Sequence, residues 1–524
     1  MGNNTANHRL CTDIIIIGAG PTGLMAACQL ARFGVDLIII DSKAGTTPES
    51  RAMLVTARSM EIYQQMGLSD KVLAQGEYIR DLSIYIDGKE KVGFSLGKAG
   101  DGLTDFPYIQ SFEQSGNESL LYEQLKKMDR DVLWRTGLVD LEQSAEGGVT
   151  VKLQDLVTKK HLEVHAKYLI GCDGASSTVR QQLKCKFEGR TYENKFFVAD
   201  TRIDWTQPAH RIVASPSRTN FCAFFPMYDK ESYRVLGTLP KDFYNKEDIA
   251  FQDIESVVRS TIGIPLQFKA VNWFSVYKLH QRCVESFAVN QCFLAGDAAH
   301  IHSPAGGQGM NTGLQDAYNL SWKLWMVLSG TAGESLLSTY HTERYPFAKW
   351  LLKFTDRIFG FMTDNNVLFH LLRKHLLPFI FKTLSISPRI TKRIFRTLSQ
   401  IWYSYDDSPL SVQHSKQSLT FKAGDRFPYV RIDHKGEMIS CYNLLTAAKF
   451  HLVCIGAGSN VSKDDIPRVV LPLIQLINLP PGPGWLKLGV RKKLYILVRP
   501  DNYIGLVSDL LDDDSLEKYF KLYR

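Results

Sequence analysis

The sequence predicts an α/β (α+β) chain in which a Rossmann-type nucleotide-binding domain is interleaved with an antiparallel sheet and followed by a helical bridge and a C-terminal domain. Three observations predict it. A glycine-rich turn joins two short apolar runs near the start. Two further apolar runs, far downstream, close on Asp-Gly and on Gly-Asp. Between and after these lie a stretch of alternating aromatic and polar residues and a stretch with apolar residues every three or four positions.

The first run, Asp13 to Ile17, suits a strand buried on both faces. It feeds Gly18-Ala19-Gly20-Pro21-Thr22-Gly23, then an alanine-rich helical stretch to Phe33, which Gly34 ends. A second β-branched run closes on Asp41. Gly18 permits the tight turn, Gly20 lets backbone approach a pyrophosphate, and Gly23 allows close packing of helix on strand. The helix N-terminus offers free N–H groups to phosphate, and Asp41 stands at the distance suited to a ribose diol. The fingerprint alone leaves FAD and NAD(P) both open.

Two later segments narrow the choice. Tyr168 to Arg180 is a strand-like run ending in Asp173-Gly174 and turning through Ala-Ser-Ser-Thr into a helix. Cys292 to Asn311 is a second, ending in Gly296-Asp297 and followed by a loop containing Pro304, Gly306, Gly307 and Gly309. With GAGPTG, DGASSTVR and GDAAHIHSPAGGQGMNTGLQDA in this order, the chain resembles the single-component FAD-dependent aromatic hydroxylases of the para-hydroxybenzoate and phenol hydroxylase type over about residues 10–345. The resemblance implies FAD as cofactor, held by Gly18, Gly20, Pro21, Thr22, Gly23, Asp41 and Arg51 on the pyrophosphate and ribose side. Asp297 would take the ribityl chain, and Gly307, Gly309, Met310 and Asn311 would face the flavin pyrimidine edge. Asp173 would lie near the FAD and NAD(P)H pyrophosphates, Gln114 would open a helix against the flavin with Gln110 as its rival, and the Leu138 backbone would meet adenine. Ser119 departs from the arginine often found after the glutamate in this family.

The resemblance also implies NAD(P)H and O2 as co-substrates and hydroxylation of a phenolic or polycyclic aromatic small molecule through a flavin C4a-hydroperoxide. The flavin would carry the chemistry, so no catalytic side chain is assigned beyond the Pro304 loop beside it. An antibiotic-modifying monooxygenase of rifamycin or tetracycline type and a non-catalytic FAD-binding protein are the alternatives. His300 and His302 read as packing or hydrogen-bonding residues. Ser176, Ser177 and Thr178 read as a helix cap, and Arg180 either as a phosphate ligand or as a solvated helix residue.

These segments divide the chain into a first FAD-binding part (1–184), a substrate-domain sheet (185–290), a second FAD-binding part (291–345), a helical bridge (346–419) and a C-terminal domain (420–524). Phe221 to Met227 is the expected lining of a cavity roofed by the sheet. The bridge reads as helices to about residue 415, docked with their basic faces in water. Ala423 to Pro428 and Leu497 to Gly505 resemble the thioredoxin-like domain of phenol hydroxylase relatives, without a CxxC pair and so without disulfide chemistry. Phe450 to Val461 imitates half a nucleotide fingerprint, but Val461 stands where the third glycine belongs.

Composition excludes other classes. Lys and Arg number 62 against 54 Asp and Glu, and the excess of eight falls within Lys349 to Gln400, where ten basic residues meet two acidic ones. A general nucleic-acid-binding charge is therefore not expected. Nine scattered cysteines imply reduced thiols and no metal site. No secretory leader, spanning helix or stable membrane insertion is expected, which implies a cytoplasmic protein; a homodimer is left open as its assembly.

Overall fold

The computed structural model describes residues 9–48, 52–229, 231–303, 307–364, 366–384, 387–456, 461–511 and 513–523. Five parallel strands form the centre of its first sheet, in the order Cys292–Leu294, His161–Gly171, Arg9–Ile17, Leu37–Ile40 and Val132–Leu133. Ile14, Ile15 and Ile16 are fully buried. A continuous run of β-branched residues suits this position because helices and neighbouring strands cover both faces. Helix Pro21–Arg32 lies against helix Gln308–Leu328, so the first and last nucleotide-binding motifs meet although nearly 300 residues separate them. Strand Val149–Asp155 extends the sheet antiparallel to His161–Gly171, and Thr136–Gln143 pairs antiparallel with Val149–Asp155 in turn.

The second sheet has eight strands: His300–Ile301, Leu266–Val284, Phe187–Trp205, Ser232–Thr238, Phe221–Pro226, Arg211–Pro216, Asp81–Ile86 and Lys89–Ser95. The expected antiparallel sheet is thus present, and it recruits a hairpin from upstream, with Asp81–Ile86 parallel to Arg211–Pro216. Helix Phe251–Ile262 covers one face, burying Phe197, Phe224, Val235 and Ile254. The opposite face looks toward the first sheet, and Phe225 and Met227 pack on the core of the nucleotide-binding domain.

Helix Ser335–Thr363 runs unbroken through residues 345 and 346. The bridge continues as Val367–Leu371, a π-turn Leu372–Leu376, Leu377–Leu384 and Pro388–Leu398. It ends there rather than near 415: Gln400 takes a left-handed φ of 58° and an aromatic cluster of Trp402, Tyr403 and Tyr405 follows. Helix Pro388–Leu398 docks as expected, with Phe395 buried. The preceding segment is inverted. Leu368 is 62% and Phe379 67% exposed, whereas Arg373 is buried and donates to the carbonyls of Phe361, Asp364 and Ser217. Three carbonyl acceptors at a helix junction draw the guanidinium inward, and the apolar stripe turns to water in exchange. No helix among the described residues is long and apolar enough to cross a membrane.

A third sheet orders Val412–Gln413, Ile504–Ser508, Leu494–Val498, Phe450–Ile455 and Ile474–Leu479, with both outer pairs parallel and the two central pairs antiparallel. The strand of the imitation fingerprint is present, but residues 457–460 after it lie outside the described residues.

Candidate functional site

The three glycines of the first turn do different work. Gly18 has φ +102°, and a Cβ there would stand 2.5 Å from the Cys172 carbonyl oxygen. A Cβ on Gly23 would overlap the Gly18 carbonyl oxygen. These two positions are therefore demanded by the fold itself. Gly20 differs: nothing lies within 4 Å of a Cβ built on it. That open space at the start of helix Pro21–Arg32 is a cradle a side chain would fill, and a pyrophosphate fits it. Pro21 occupies the first helical turn, where a missing N–H costs nothing. Thr22 faces the other way, wedged between Gly296 and Gly313, where any Cβ would collide with its hydroxyl; it joins the first motif to the last.

Asp41 ends its strand with the carboxylate turned back on the loop, accepting from Ala19 N at 2.7 Å and Lys43 N at 2.8 Å. Leu138 is half-buried in strand Thr136–Gln143, and Thr136 N donates to Asp41 O at 2.9 Å, so this strand borders Asp41. Arg51 and Pro304 lie outside the described residues.

Gln114 opens helix Gln114–Lys126, and its Nε2 donates to Glu118 at 2.9 Å. Glu118, fully buried, also accepts from Thr47 N at 2.7 Å and Lys43 Nζ at 3.1 Å. Gln110 is buried apart from this cluster, with its amide toward Val72 O, which separates the two rivals.

Asp173 accepts from Ser177 Oγ at 2.5 Å and Val179 N at 3.1 Å, and burial raises its carboxyl pKa. Ser177 caps the helix by accepting from Arg180 N. Arg180 fits neither expectation for it. It is buried, donates to Ala298 O at 3.0 Å and Ala175 O at 2.7 Å, and lies over the Phe187 ring. Unsatisfied carbonyls at the ends of two motif turns claim its fork, so it binds those turns together.

The Gly296-Asp297 turn rests on a buried charge network. Asp316 Oδ2 accepts from Gly296 N at 3.1 Å and meets His300 Nε2 at 2.7 Å, while Arg344 Nε donates to Oδ1 at 2.7 Å. Asp297 is exposed although its neighbours in the turn are buried, so its carboxylate stands at the surface of the site. His300 is thus the hydrogen-bonding residue expected. His302 Nδ1 donates to Ser303 O at 2.9 Å, and burial drives the ring's pKa down to about 4.

Gly307 has φ +63° and abuts Leu54, opening helix Gln308–Leu328. Gly309 lies beside the His302 ring, and Met310 is half-buried. The Asn311 side chain is used internally: it donates to Leu54 O at 2.7 Å and accepts from Thr56 N at 2.9 Å. What the start of this helix offers a ligand is its backbone N–H groups and the positive end of its dipole.

Beside Glu113 and Gln114, the second sheet carries one row in which the expected lining residue Phe225 meets a charged pair that sequence reasoning missed. Phe225, Arg234, Asp200 and Trp273 are successive cross-strand partners. Arg234 forms a two-pronged pair with Asp200, both contacts 2.7 Å, and stacks toward Trp273. Glu113, next to Gln114, is 3.7 Å from Arg234, and burial raises its pKa. Arg234 Nη1 is buried without a hydrogen-bond partner among the described residues. The available signal was a lone cation inside the apolar strand Tyr233-Arg234-Val235.

An open cradle at the start of one helix, an exposed acid above a buried network and the start of a second helix packed on the first make an arrangement suited to a flavin dinucleotide. The family described as FAD binding domain matches residues 11–355. The 6-methylpretetramide 4-monooxygenase of Streptomyces rimosus is 32% identical over 433 residues, covering 82% of this chain and 74% of that protein. A flavin-dependent monooxygenase of Mycobacteroides abscessus is 28% identical over 510 residues, 95% of this chain and 97% of that protein. Among solved structures, the OxyS anhydrotetracycline hydroxylase from Streptomyces rimosus superposes with a TM-score of 0.77 at 26% identity, covering 98% of this chain and 99% of that one. The chain belongs to the FAD binding domain family and is an FAD-dependent monooxygenase.

Proposed function

We propose that the enzyme uses NAD(P)H and O2 to hydroxylate a planar phenolic or polycyclic aromatic molecule. The observation that carries this reading is the Phe225–Arg234–Asp200–Trp273 row beside Glu113 and Gln114, with a buried cationic N–H left unpaired between two aromatic residues. The names of 6-methylpretetramide 4-monooxygenase and anhydrotetracycline hydroxylase, both denoting action on tetracyclic aromatic molecules, support a substrate of that class. Modification of a finished antibiotic is the second reading, supported by rifampicin monooxygenases at 33% identity.

Bound FAD supplies hydride acceptance and the reductive activation of O2. The chain's residues hold and orient. Backbone at Gly18, Gly20, Pro21 and Gly23 cradles the pyrophosphate, with Arg51 as a countercharge. Asp41 takes the ribose, the strand at Leu138 flanks adenine, and Asp297 accepts from the ribityl hydroxyls. Gln114 and the N–H groups from Gly307 to Asn311 line the flavin pyrimidine, where a helix start stabilises negative charge. Asp173 holds the turn beside the FAD pyrophosphate. Arg234 Nη1 binds the substrate's phenolate oxygen, a charge-assisted bond that favours the electron-rich anion, while Phe225 and Trp273 exclude water. The buried thiols support a reducing, cytoplasmic setting. We read the C-terminal sheet as thioredoxin-like, on its parallel outer pair Phe450–Ile455 and Ile474–Leu479 followed by the antiparallel strands Leu494–Val498 and Ile504–Ser508.

The test is a yellow purified protein assayed for NAD(P)H oxidation stimulated by polycyclic phenols. Arg234→Met should raise the phenol KM at least tenfold and steepen its pH dependence, and Arg234→Lys should restore part of it. If no phenol stimulates oxidation, the reading fails.

A further inference from the structure

The basic excess of the chain has its densest point in helix Pro388–Leu398, where Arg389, Lys392, Arg393 and Arg396 follow a three-one-three spacing. That spacing puts all four on one face. The opposite face is fixed: Phe395 is buried, and a Cβ on Gly100 would stand 2.6 Å from its ring. The cationic face cannot roll away from where it points. It forms one wall of a groove of 550 Å³ whose other wall is Trp350 and Trp402, their rings 4.5 Å apart at 59°. A second cavity of 220 Å³ shares Arg396 and Trp402 and continues to Arg426. All four cations on the helix are exposed, and none has a carboxylate within ion-pair distance among the described residues. Like charges one turn apart repel, and an anion in the groove would relieve this.

We propose that this groove binds the phosphate-bearing adenosine end of NAD(P)H. The four cations span about 10 Å along the helix, enough to meet a pyrophosphate and a further ribose phosphate. The two indoles offer planes on which a base stacks. The helix is also tied to the flavin-facing helix: Leu398 O accepts from Gln308 Nε2 at 2.9 Å, and Gln400 Nε2 donates to Thr312 Oγ1 at 3.1 Å. The assignment rests on the reading that NAD(P)H is the reductant.

The flavin-loaded full chain is titrated calorimetrically with 2′-phospho-ADP-ribose and with ADP-ribose, which carry the adenosine end without nicotinamide. Wild type should bind at least one of them. Arg389→Gln/Arg393→Gln, both on an exposed face, should weaken that binding at least tenfold, and Trp402→Ala should do so where Trp402→Phe does not. KM for the reductant should rise in step, with kcat at saturation, flavin content and melting temperature unchanged. Equal affinity in wild type and the double variant overturns the groove assignment. So does loss of anionic-vesicle binding in the double variant with ligand affinity intact, which would make the face a lipid contact. Wild type that oxidises neither NADH nor NADPH sinks the reductant reading separately, since the calorimetry does not depend on turnover.

Discussion

Glu343 and Arg344 are consecutive residues of one helix, both buried, yet they serve different parts of the molecule. Glu343 accepts from Arg499 at 2.6 and 2.9 Å, from Lys323 Nζ at 2.7 Å and from Ser408 Oγ at 2.6 Å. Arg499 is held in turn by Asp501, which accepts from Trp322 Nε1 at 3.1 Å. This network joins the C-terminal domain to the helices beneath it. Arg344 turns about 100° away around the helix and pairs with Asp316 under the Gly296-Asp297 turn. One network docks a domain; the other shapes a ligand site. Each buried charge is compensated, so breaking either is expensive, but only the second should register in flavin binding.

The largest effect should come from removing residues 420–524. Truncation would leave Glu343 without Arg499 and strip Trp322, Met326 and Leu336 of their partners Phe450, Leu452 and Tyr523. We expect insoluble protein, read from the soluble fraction on expression. Arg499→Met should cost about 3–5 kcal/mol by leaving buried Asp501 without its ion pair and Glu343 with Lys323 alone. It should lower the melting temperature while flavin stoichiometry in the folded fraction stays full. A soluble yellow truncation would show that the two regions do not depend on each other.

Asp316→Asn should cost a similar amount, about 3–5 kcal/mol, and differ in its second readout. Loss of the carboxylate frees the Gly296 N–H and the His300 ring together, so flavin affinity should fall with stability. Asp297→Ala isolates the ligand side. Its carboxylate is exposed, so the melting temperature of the flavin-free protein should hold while flavin affinity falls about 10- to 100-fold, a loss of roughly 1.5–3 kcal/mol. Equilibrium titration of flavin into the flavin-free proteins separates the two variants. Full affinity in Asp297→Ala would remove the ribityl role.

The contrast also explains what was legible beforehand. Gly18, Gly20, Gly23 and the Gly296-Asp297 strand end belong to short contiguous motifs whose geometry is set by neighbours in sequence. Asp316, Arg344, Glu118 and Arg234 sit in ordinary helical and strand patterns, and their meaning lies in partners far along the chain, such as Arg344 for Asp316 and Thr47 for Glu118. Glu118 left only a weak local trace, four residues after Gln114 on the same helix face. Arg180 was misread because a helical arginine near an Asp-Gly turn has the same pattern whether it faces water or two carbonyls. The segment from Val367 to Leu384 failed for the converse reason: periodicity finds the apolar face but not what lies opposite it.

Per pH unit the smallest predicted effect is acid sensitivity, and it tests whether the two regions melt as one. Each contains a histidine that burial pulls down to about 4, His302 beside the site and His451 in the C-terminal sheet. Below about pH 6.5 the unfolded chain protonates each ring while the folded chain does not, so the unfolded state binds more protons. Stability present above about pH 6.5 is therefore lost as pH falls toward 4, at up to about 1.4 kcal/mol per pH unit for each histidine. The buried carboxylates act lower. Burial alone would raise Asp316 and Glu343, but Arg344 and His300 hold the first, and Arg499 and Lys323 the second, below the usual carboxylate range. Both thus stabilise above their ordinary values, and that contribution fades only as pH falls further. Between pH 6.5 and 4, His302→Gln and His451→Gln should each flatten the fall in melting temperature. If the Glu343–Arg499 network couples the regions, either substitution shifts a single shared transition. Two transitions, each answering to one histidine alone, would mean that the network docks the C-terminal domain without making its folding cooperative with the site.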